Sequence, residues 1–231
     1  MRILFFLLTL TAFLWSDIGN IGAFKGTATV TRNSETLAIE SGMALNVNDK
    51  VITATKSRVQ VILKDNTVVT IGPETTFIFD AYKFAGKDDS EVKMHIDRGF
   101  FRAVTGKIGK LAPERFKVKT VSATIGIRGT DFSALVSEKN EIISCYKGSI
   151  SILYDNSNFM IDAGSALDVS NGKAEIKLFS KNKGLQTVYT IEKMLEMKAD
   201  EKADITQQEV QNLVGELEVP LEEPTVEFPN R

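Results

Sequence analysis

The side chains in this sequence that could perform acid–base, nucleophilic or metal chemistry are few. His95 is the only histidine, and Cys145 is the only cysteine. One of each cannot supply the ligands of a zinc site, and a Cys–His nucleophile pair would need the fold to bring together two residues fifty positions apart. The sequence also has no Gly-x-Ser-x-Gly turn and no Gly-x-x-x-x-Gly-Lys phosphate loop. We therefore expect no metal and no cofactor, and we interpret Cys145 as a small buried residue on a strand.

Paired carboxylates are the remaining route to catalysis. Asp88, Asp89, Glu91 and Asp97 lie within ten positions of one another, and β-rich enzymes that act on polysaccharides use two such acids. However, residues 86–90 (Gly-Lys-Asp-Asp-Ser) have the composition of a solvated loop. The sequence therefore favours a protein that is not an enzyme.

Two further groups have a possible binding role and a simpler structural one. Residues 155–158 (Asp-Asn-Ser-Asn) offer oxygen ligands but lack the glycine and the terminal glutamate of an EF-hand loop, so a hairpin turn is favoured over a calcium site. Tyr82, Phe84 and Tyr154 could stack on sugar rings if they are exposed. Aromatic residues at strand ends more often belong to the core.

The N-terminus has the composition of a secretory leader. Arg2 follows Met1, and residues 3–15 form an apolar run that is shorter than the roughly 20 residues of a membrane-spanning helix. We expect a signal peptide over residues 1–22 that is cleaved near Ser16 or Ala23. The mature protein would be periplasmic or secreted, with no stable membrane span after processing. An uncleaved anchor and a core helix are the alternatives.

The charge balance excludes one class of partner. The chain has 28 Lys and Arg residues and 30 Asp and Glu residues, for a formal net charge of −2 at pH 7. These charges are mixed along the sequence, which does not favour a nucleic acid partner. An exported chain with a single cysteine has no internal disulfide. Packing and strand hydrogen bonds must therefore hold the fold together.

Residues 23–178 carry the pattern of short strands separated by turns. β-branched and aromatic residues alternate with polar ones, and Gly, Asn, Asp or Pro interrupts them roughly every 8 to 12 residues. This pattern predicts a mainly β domain. Its strands could form an irregular solenoid-like stack or a sandwich-like arrangement with tight hairpins.

The sequence after residue 178 changes to a helical pattern. Residues 190–199 carry apolar side chains at helical spacing, and Thr206 and Glu209 form a capping box for a second helix. We expect two short C-terminal helices within residues 185–217, which either pack on the β domain or dock a partner. Residues 218–231 contain three prolines and several glutamates, which predicts a disordered acidic tail.

The segment Ile-Gly-Ile-Arg-Gly-Thr-Asp-Phe, which ends at Phe132, is the most specific local motif. Gly126 and Gly129 bracket Arg128, and such glycines are typical of a sharp corner between strands. We expect a buried Arg128 to donate to backbone carbonyls that the corner leaves unpaired. We also expect Thr130 to close the turn and Phe132 to enter the core. Ligand binding by Arg128 is the alternative.

This corner and the segments around it resemble the FecR domain family. Residues 45–53 are similar to the family's Gly-Asp turn and following strand, with Asn48 at the glycine position. After glycine, Asn is the residue that best tolerates the left-handed conformation, so the turn can be kept. The other similar segments are residues 57–67, 71–75, 97–101, 116–121, 127–132, 146–152 and 162–165.

The resemblance covers about residues 26–174 and implies an exported, non-catalytic β module with a protein partner in the cell envelope. The best-known members of the family are transmembrane regulators that control a sigma factor and read an outer-membrane receptor. Here we expect the leader to run directly into the β domain, with helices and a tail in place of a receptor-facing C-terminal domain. The first expectation is therefore an interaction or scaffold module. A FecR-type signal-sensing regulator and a polysaccharide- or cell-wall-binding protein are the alternatives.

Overall fold

The computed structural model describes residues 17–86 and 89–179. Within these two ranges the alternating segments form fifteen strands, one short α-helix and one 3₁₀ turn, and all the strands belong to one open sheet. The prediction of a mainly β domain is confirmed. The strands are β1 (Gly19–Lys25), β2 (Ala28–Arg32), β3 (Glu35–Ala38), β4 (Ala44–Leu45), β5 (Lys50–Thr53), β6 (Arg58–Leu63), β7 (Val68–Ile71), β8 (Thr76–Lys83), β9 (Glu91–Val104), β10 (Phe116–Lys119), β11 (Ala123–Val136), β12 (Asn140–Tyr154), β13 (Ser157–Asp162), β14 (Ser165–Ser170) and β15 (Lys173–Leu178), with α1 at Ile108–Leu111 and the 3₁₀ turn at Pro113–Arg115.

Two-residue turns join several of the strands. Asp155 and Asn156 have φ values of 44° and 61° between β12 and β13, and Asn171 and Gly172 have φ values of 51° and 76° between β14 and β15. Two successive positive φ angles match the right-handed twist of a hairpin, and Asn, Asp and Gly adopt them most readily. The hairpin turn expected at residues 155–158 is confirmed. Asn48 also has a positive φ of 68°, as its position in the resemblance to the family predicts.

Three long strands divide the sheet into two halves. The first half of β9 pairs with β8 and β10, while its second half pairs with β7 and β11. β11 and β12 also change partners along their length. We name the resulting strand orders the first half-sheet, β3-β2-β5-β8-β9-β10-β11-β12-β13, and the second half-sheet, β4-β1-β6-β7-β9-β11-β12-β14-β15.

A glycine with positive φ marks the point where each long strand passes between the half-sheets. Gly99 in β9, Gly129 in β11 and Gly148 in β12 have φ values of 96°, 62° and 76°. Side chains of a strand normally alternate between its faces, and an irregular glycine shifts this alternation by one residue. Thus Ile125 and Ile127 are buried before the bend in β11, whereas Phe132 and Ala134 are buried after it. The shift keeps the apolar side chains directed inwards in both half-sheets.

The two half-sheets share one hydrophobic core. Phe77 of the first half-sheet lies against Phe101 of the second, with ring centroids 5.2 Å apart. Phe101 also meets Phe132 edge to face at 5.7 Å. Phe132 is fully buried, so its expected place in the core is confirmed. The described ladders are antiparallel except for that between β9 and β10, and they do not show a solenoid.

Several predictions concern residues outside the described ranges. These are the leader residues Met1, Arg2 and Ser16, the two helices within residues 185–217, and the acidic tail at residues 218–231. β1 begins at Gly19, before the domain start expected at residue 23, and Ile18 and Ile21 are already buried. No helix in the described ranges is both long and apolar enough to cross a bilayer.

Candidate binding surface

The glycine motif forms a bend inside one strand and not a corner between two strands. Gly129 has the positive φ that the motif predicts, and it lies at a register shift in the pairing of β11 with β12. Gly126 has no positive φ, but a Cβ there would lie 2.8 Å from the Oγ of Ser151 on β12. The first glycine therefore allows close packing across strands, and the second allows the bend.

The structure corrects the roles expected for two residues of this motif. Arg128 is exposed and its side chain makes no hydrogen bond or ion pair within the described residues, whereas we expected it to be buried. Its position follows from alternation, because its neighbour Ile127 faces the core. The hydroxyl that closes the bend belongs to Thr105, which accepts from the Thr130 N–H at 2.8 Å and donates to the Thr130 carbonyl at 3.0 Å. The buried Thr130 hydroxyl itself has no hydrogen-bond partner among residues 17–86 and 89–179.

A buried carboxylate, which the sequence analysis did not select, organises the β6–β7 turn. The side chain of Asp65 accepts from the Thr67 N–H at 3.2 Å, the Thr67 hydroxyl at 2.8 Å and the Ile108 N–H at 3.0 Å. Burial raises the pKa of the Tyr82 hydroxyl, and the nearby Asp65 charge raises it further. This hydroxyl lies 3.3 Å from the same carboxylate. Tyr82 is thus half-buried and bonded to the turn, and it is not a free platform for a sugar ring. In the sequence, the order Asp-Asn-Thr at residues 65–67 is typical of an Asx turn and could have indicated that Asp65 organises this turn.

A second buried carboxylate holds the start of the FecR-like region. Asp49 is fully buried and receives two hydrogen bonds from Arg32, at 2.8 Å from Nε and 2.6 Å from Nη2. It also accepts from the Asn46 N–H at 2.8 Å. This two-point pairing with a guanidinium group compensates a carboxylate that would otherwise be costly to bury. Asp49 and Asp65 are therefore structural residues.

Among the described carboxylates considered for catalysis, Glu91 and Asp97 do not form a glycosidase pair. Glu91 and Asp97 lie on the same strand, β9, and six residues of strand separate them by about 20 Å, beyond the span of two catalytic acids. Glu91 is bonded to Lys93 at 2.7 Å, and this bond lowers the pKa of Glu91. Asp89 pairs with Lys83 at 3.3 Å. Asp88 lies outside the described residues.

His95 lies on β9 and Cys145 on β12, two strands that do not pair with each other. The Nδ1 of His95 lies 2.7 Å from Asp80, and its Nε2 lies 3.7 Å from Asp97. Cys145 is buried in β12, as we expected, and burial raises the pKa of its thiol to about 11. In the described ranges no group of three His, Cys, Asp or Glu residues could hold a metal ion.

The outer face of the first half-sheet gathers cations that are scattered in the sequence. On β10, Lys117 and Lys119 are exposed, and Arg128 is exposed on β11. Lys117 pairs in register with Lys93 of β9 on one side and with Gly126 of β11 on the other. Lys93 is bonded to Glu91, but the three other cations have no ion pair among the described residues. We name Lys117, Lys119 and Arg128 the cationic patch.

Exposed apolar side chains border the cationic patch. Leu153 of β12 is 46% exposed and pairs in register with Thr124 of β11, and Met160 of β13 is 59% exposed and pairs with Ser151. Val121, between β10 and β11, is 70% exposed. The other aromatic candidates lie elsewhere, with Phe84 beneath the Lys107 ammonium at 5.9 Å and Tyr154 partly packed on the core. The outer face therefore has exposed apolar area beside these cations, and Glu91, Asp80 and Asp97 lie next to the cations on β9.

Comparison with known proteins finds one family model that is similar to this region. A family model described as FecR protein matches residues 49–151. Two crystal structures of a candidate anti-sigma factor from Parabacteroides distasonis are similar in fold. One, at 2.50 Å resolution, has a TM-score of 0.49 and 20% identity over 61% of this chain and 62% of that chain. The other, at 1.65 Å, has a TM-score of 0.48 and 21% identity over 62% of this chain and 63% of that chain.

The family match confirms the resemblance found in the sequence: residues 49–151 of this chain match the model of the FecR family. The matched range includes all three bend glycines, Gly99, Gly129 and Gly148, and the whole cationic patch. The chain spans less than two thirds of the length of the two crystallised proteins. No curated protein matches the chain.

Proposed function

We propose that this protein is a FecR-type regulator of envelope signalling that acts by binding a protein partner and not by catalysis. The observation that carries the proposal is the FecR match over residues 49–151. This function was the alternative in the sequence analysis, and the match supports it better than it supports a scaffold. A periplasmic location is part of the proposal and is supported by the leader-like composition of residues 1–16.

The geometry offers two kinds of surface for such a partner. β13 and β15 each pair on one side only within the described residues, so each presents backbone groups to which another strand can be added. The outer face of the first half-sheet offers the cationic patch beside Leu153 and Met160. Both surfaces suit recognition of an extended protein segment. Of the candidate carboxylates in the described ranges, Asp89 and Glu91 are bonded to lysines, and Glu91 lies too far from Asp97 for the reaction we considered.

A transcript comparison tests the regulatory role. We expect a chromosomal deletion to change a group of genes that share one promoter type by several-fold, and we expect the wild-type gene to restore them. Complementation with Gly148→Ala, which destabilises a bend, should restore these transcripts less fully than complementation with Gly172→Ala, in an open turn. If deletion leaves all transcripts unchanged, the regulatory proposal is wrong.

The interaction or scaffold module remains the second candidate, and the exposed outer face is the observation that favours it. Deletion would then alter the recovery of an envelope complex while transcripts stay constant. Measuring both in the same strains separates the two functions. A glycan-binding role is best tested with Phe84→Ala, because Tyr82 is bonded to the Asp65 turn and its loss would disturb the fold. Unchanged glycan retention in that variant would count against the role.

A further inference from the structure

The outer edge of β15 carries backbone groups that no strand of the described residues uses, since β15 pairs there with β14 alone. The Phe179 N–H, just after β15, donates to the Gly164 carbonyl at 3.0 Å. Alternate residues of an antiparallel strand bond to the same neighbour, so the odd-numbered residues of β15 also bond towards β14. The N–H and C=O groups of the even-numbered residues therefore point away from the sheet. These residues are Ala174, Ile176 and Leu178.

The side chains of these three residues extend the apolar core to the edge of the sheet. Ile176 pairs in register with the fully buried Leu167, and Ala174 pairs with the buried Val169. Ile176 and Leu178 are nevertheless 49% and 46% exposed. A strand added at this edge would bury that apolar area, and β15 contains no proline that would oppose the pairing.

The charges of β15 make the strand complementary to itself. Lys177 is bonded to Asp168 of β14 at 2.7 Å and lies 3.7 Å from Glu175 of its own strand, and Glu175 is 73% exposed. When two copies of β15 are placed antiparallel with a two-fold axis at Ile176, the Glu175 of each copy faces the Lys177 of the other. These two residues then form a non-hydrogen-bonded pair, in which side chains on opposite strands approach most closely.

The neighbouring registers are less favourable. Only registers that place even-numbered residues opposite one another pair the outward backbone groups. An axis at Glu175 places Glu175 opposite itself and Lys173 opposite Lys177, and an axis at Lys177 places Lys177 opposite itself. Like charges directly opposite each other destabilise a pair of strands. An axis at Ala174 sets Ile176 opposite the turn that precedes β15, where pairing ends. The sequence of β15 therefore favours the axis at Ile176.

We propose that the edge of β15 binds a second copy of this chain, with two β15 strands paired antiparallel about Ile176 so that the second half-sheets of both copies become continuous. The two Ile176 backbones then exchange a pair of hydrogen bonds, and Ala174 does the same with the Leu178 of the other copy. The apolar row from Leu167 to Ile176 continues across the axis. Such pairing of identical surfaces is the commonest form of homodimer. The inference does not depend on the regulatory function proposed above, and it leaves the β13 edge for another partner.

Cysteine cross-linking of the purified protein tests the register. Cys145 is buried, so a thiol added on β15 is the one that reacts. In Ile176→Cys the two new residues face each other with Cα atoms about 5.5 Å apart, a separation that a disulfide spans. In Ala174→Cys the same atoms lie about 14 Å apart, because the axis offsets them by four residues. We expect mild oxidation to give a covalent dimer of Ile176→Cys in about tenfold or higher yield than of Ala174→Cys.

Charge reversal tests the pairing of Glu175 with Lys177. Sedimentation equilibrium measures the dissociation constant of the dimer, which Glu175→Lys should raise by about fivefold or more, because a lysine then faces Lys177 on both sides of the axis. The exchange Glu175→Lys with Lys177→Glu restores opposite charges and should recover dimerisation. Glu35→Lys reverses an exposed glutamate on another edge strand, β3, and should leave the constant unchanged.

The outcomes that would overturn the proposal are distinct. A melting curve for each variant first checks that it is folded. A wild-type protein that stays monomeric at every concentration, or equal disulfide yields in Ile176→Cys and Ala174→Cys, would show that the β15 edges do not meet. A dimer that Glu175→Lys leaves unchanged would show that the copies meet at another surface. A monomer whose Ile176→Cys thiol resists alkylation would show that another segment of the same chain covers the edge.

Discussion

Replacing Gly148 by alanine tests the importance of the three bends. Gly148 has a φ of 76°, and a Cβ added there would lie 2.6 Å from the Gly129 carbonyl oxygen and 3.1 Å from the Arg128 carbonyl oxygen. Both contacts are with the backbone of β11, which cannot move aside like the end of a flexible side chain. Gly172 provides the matched control, because its φ is also 76° and a Cβ there would meet nothing within 4 Å.

The two substitutions share one cost and differ in another. Placing an alanine in the left-handed region costs about 1–2 kcal/mol, and the loss of chain entropy in the unfolded state is equal for both variants. The contact with β11 adds about 1–3 kcal/mol to the cost of Gly148→Ala, by analogy with overpacking. Since a domain is stable by about 5–15 kcal/mol, both variants should fold, with Gly148→Ala clearly the less stable.

Urea unfolding followed by far-ultraviolet circular dichroism measures the difference. With a slope of about 2 kcal/mol per molar urea, the midpoint of Gly148→Ala should lie about 0.5–1.5 M below that of Gly172→Ala. Gly129→Ala should behave like Gly172→Ala, because Gly129 has a positive φ but nothing within 4 Å of its Cβ position. Equal midpoints for Gly148→Ala and Gly172→Ala would show that the close approach of β11 and β12 does not limit the bend.

Three further predictions follow from buried groups. Asp65→Ala should destabilise the protein by about 2–4 kcal/mol, because it leaves the buried Ile108 N–H without an acceptor; a denaturation midpoint close to wild type would contradict this. Burial raises the pKa of the Cys145 thiol from 9.0 to about 11, so its contribution to stability is complete below pH 9 and is lost as the pH rises to about 11. Cys145→Ala should therefore lose less stability than wild type between about pH 8 and about pH 10.5, as measured by urea midpoints at both values. We also expect the leader to be removed N-terminal to Ile18, since Ile18 and Ile21 are buried; N-terminal sequencing that begins at residue 24 would refute this.

Local interactions explain which parts of the fold could be predicted from the sequence. The left-handed turn at Asn48 and the hairpin turn at residues 155–158 depend on residues adjacent in the chain, so residue type was sufficient to predict them. The mainly β character followed from alternation in the same way. The choice between a stack and a sandwich depends on which strands pair over long separations, such as β9 with β11, and alternation does not contain that information.

The candidate site was harder to predict because its residues meet only through distant pairing. Lys93 and Lys117 become neighbours through the parallel ladder between β9 and β10. The sequence showed mixed charges, and only this ladder reveals that several cations share one face. Arg32 and Asp49 are likewise 17 residues apart and meet through the pairing of β2 with β5. The expectation for Arg128 was wrong for a different reason: the motif was interpreted as a corner, although alternation with Ile127 already directed Arg128 outwards.

The strands, the turns and the ordered FecR-like motifs could be read from residue types, because these features depend on the conformational preferences of neighbouring residues. Long-range packing established which buried carboxylates are satisfied, where the bends let two half-sheets share a core, and how the cationic patch is assembled. These features arise from contacts between residues far apart in the chain. Their energies depend on burial and on the partner across the strand, and neither is a property of a single segment.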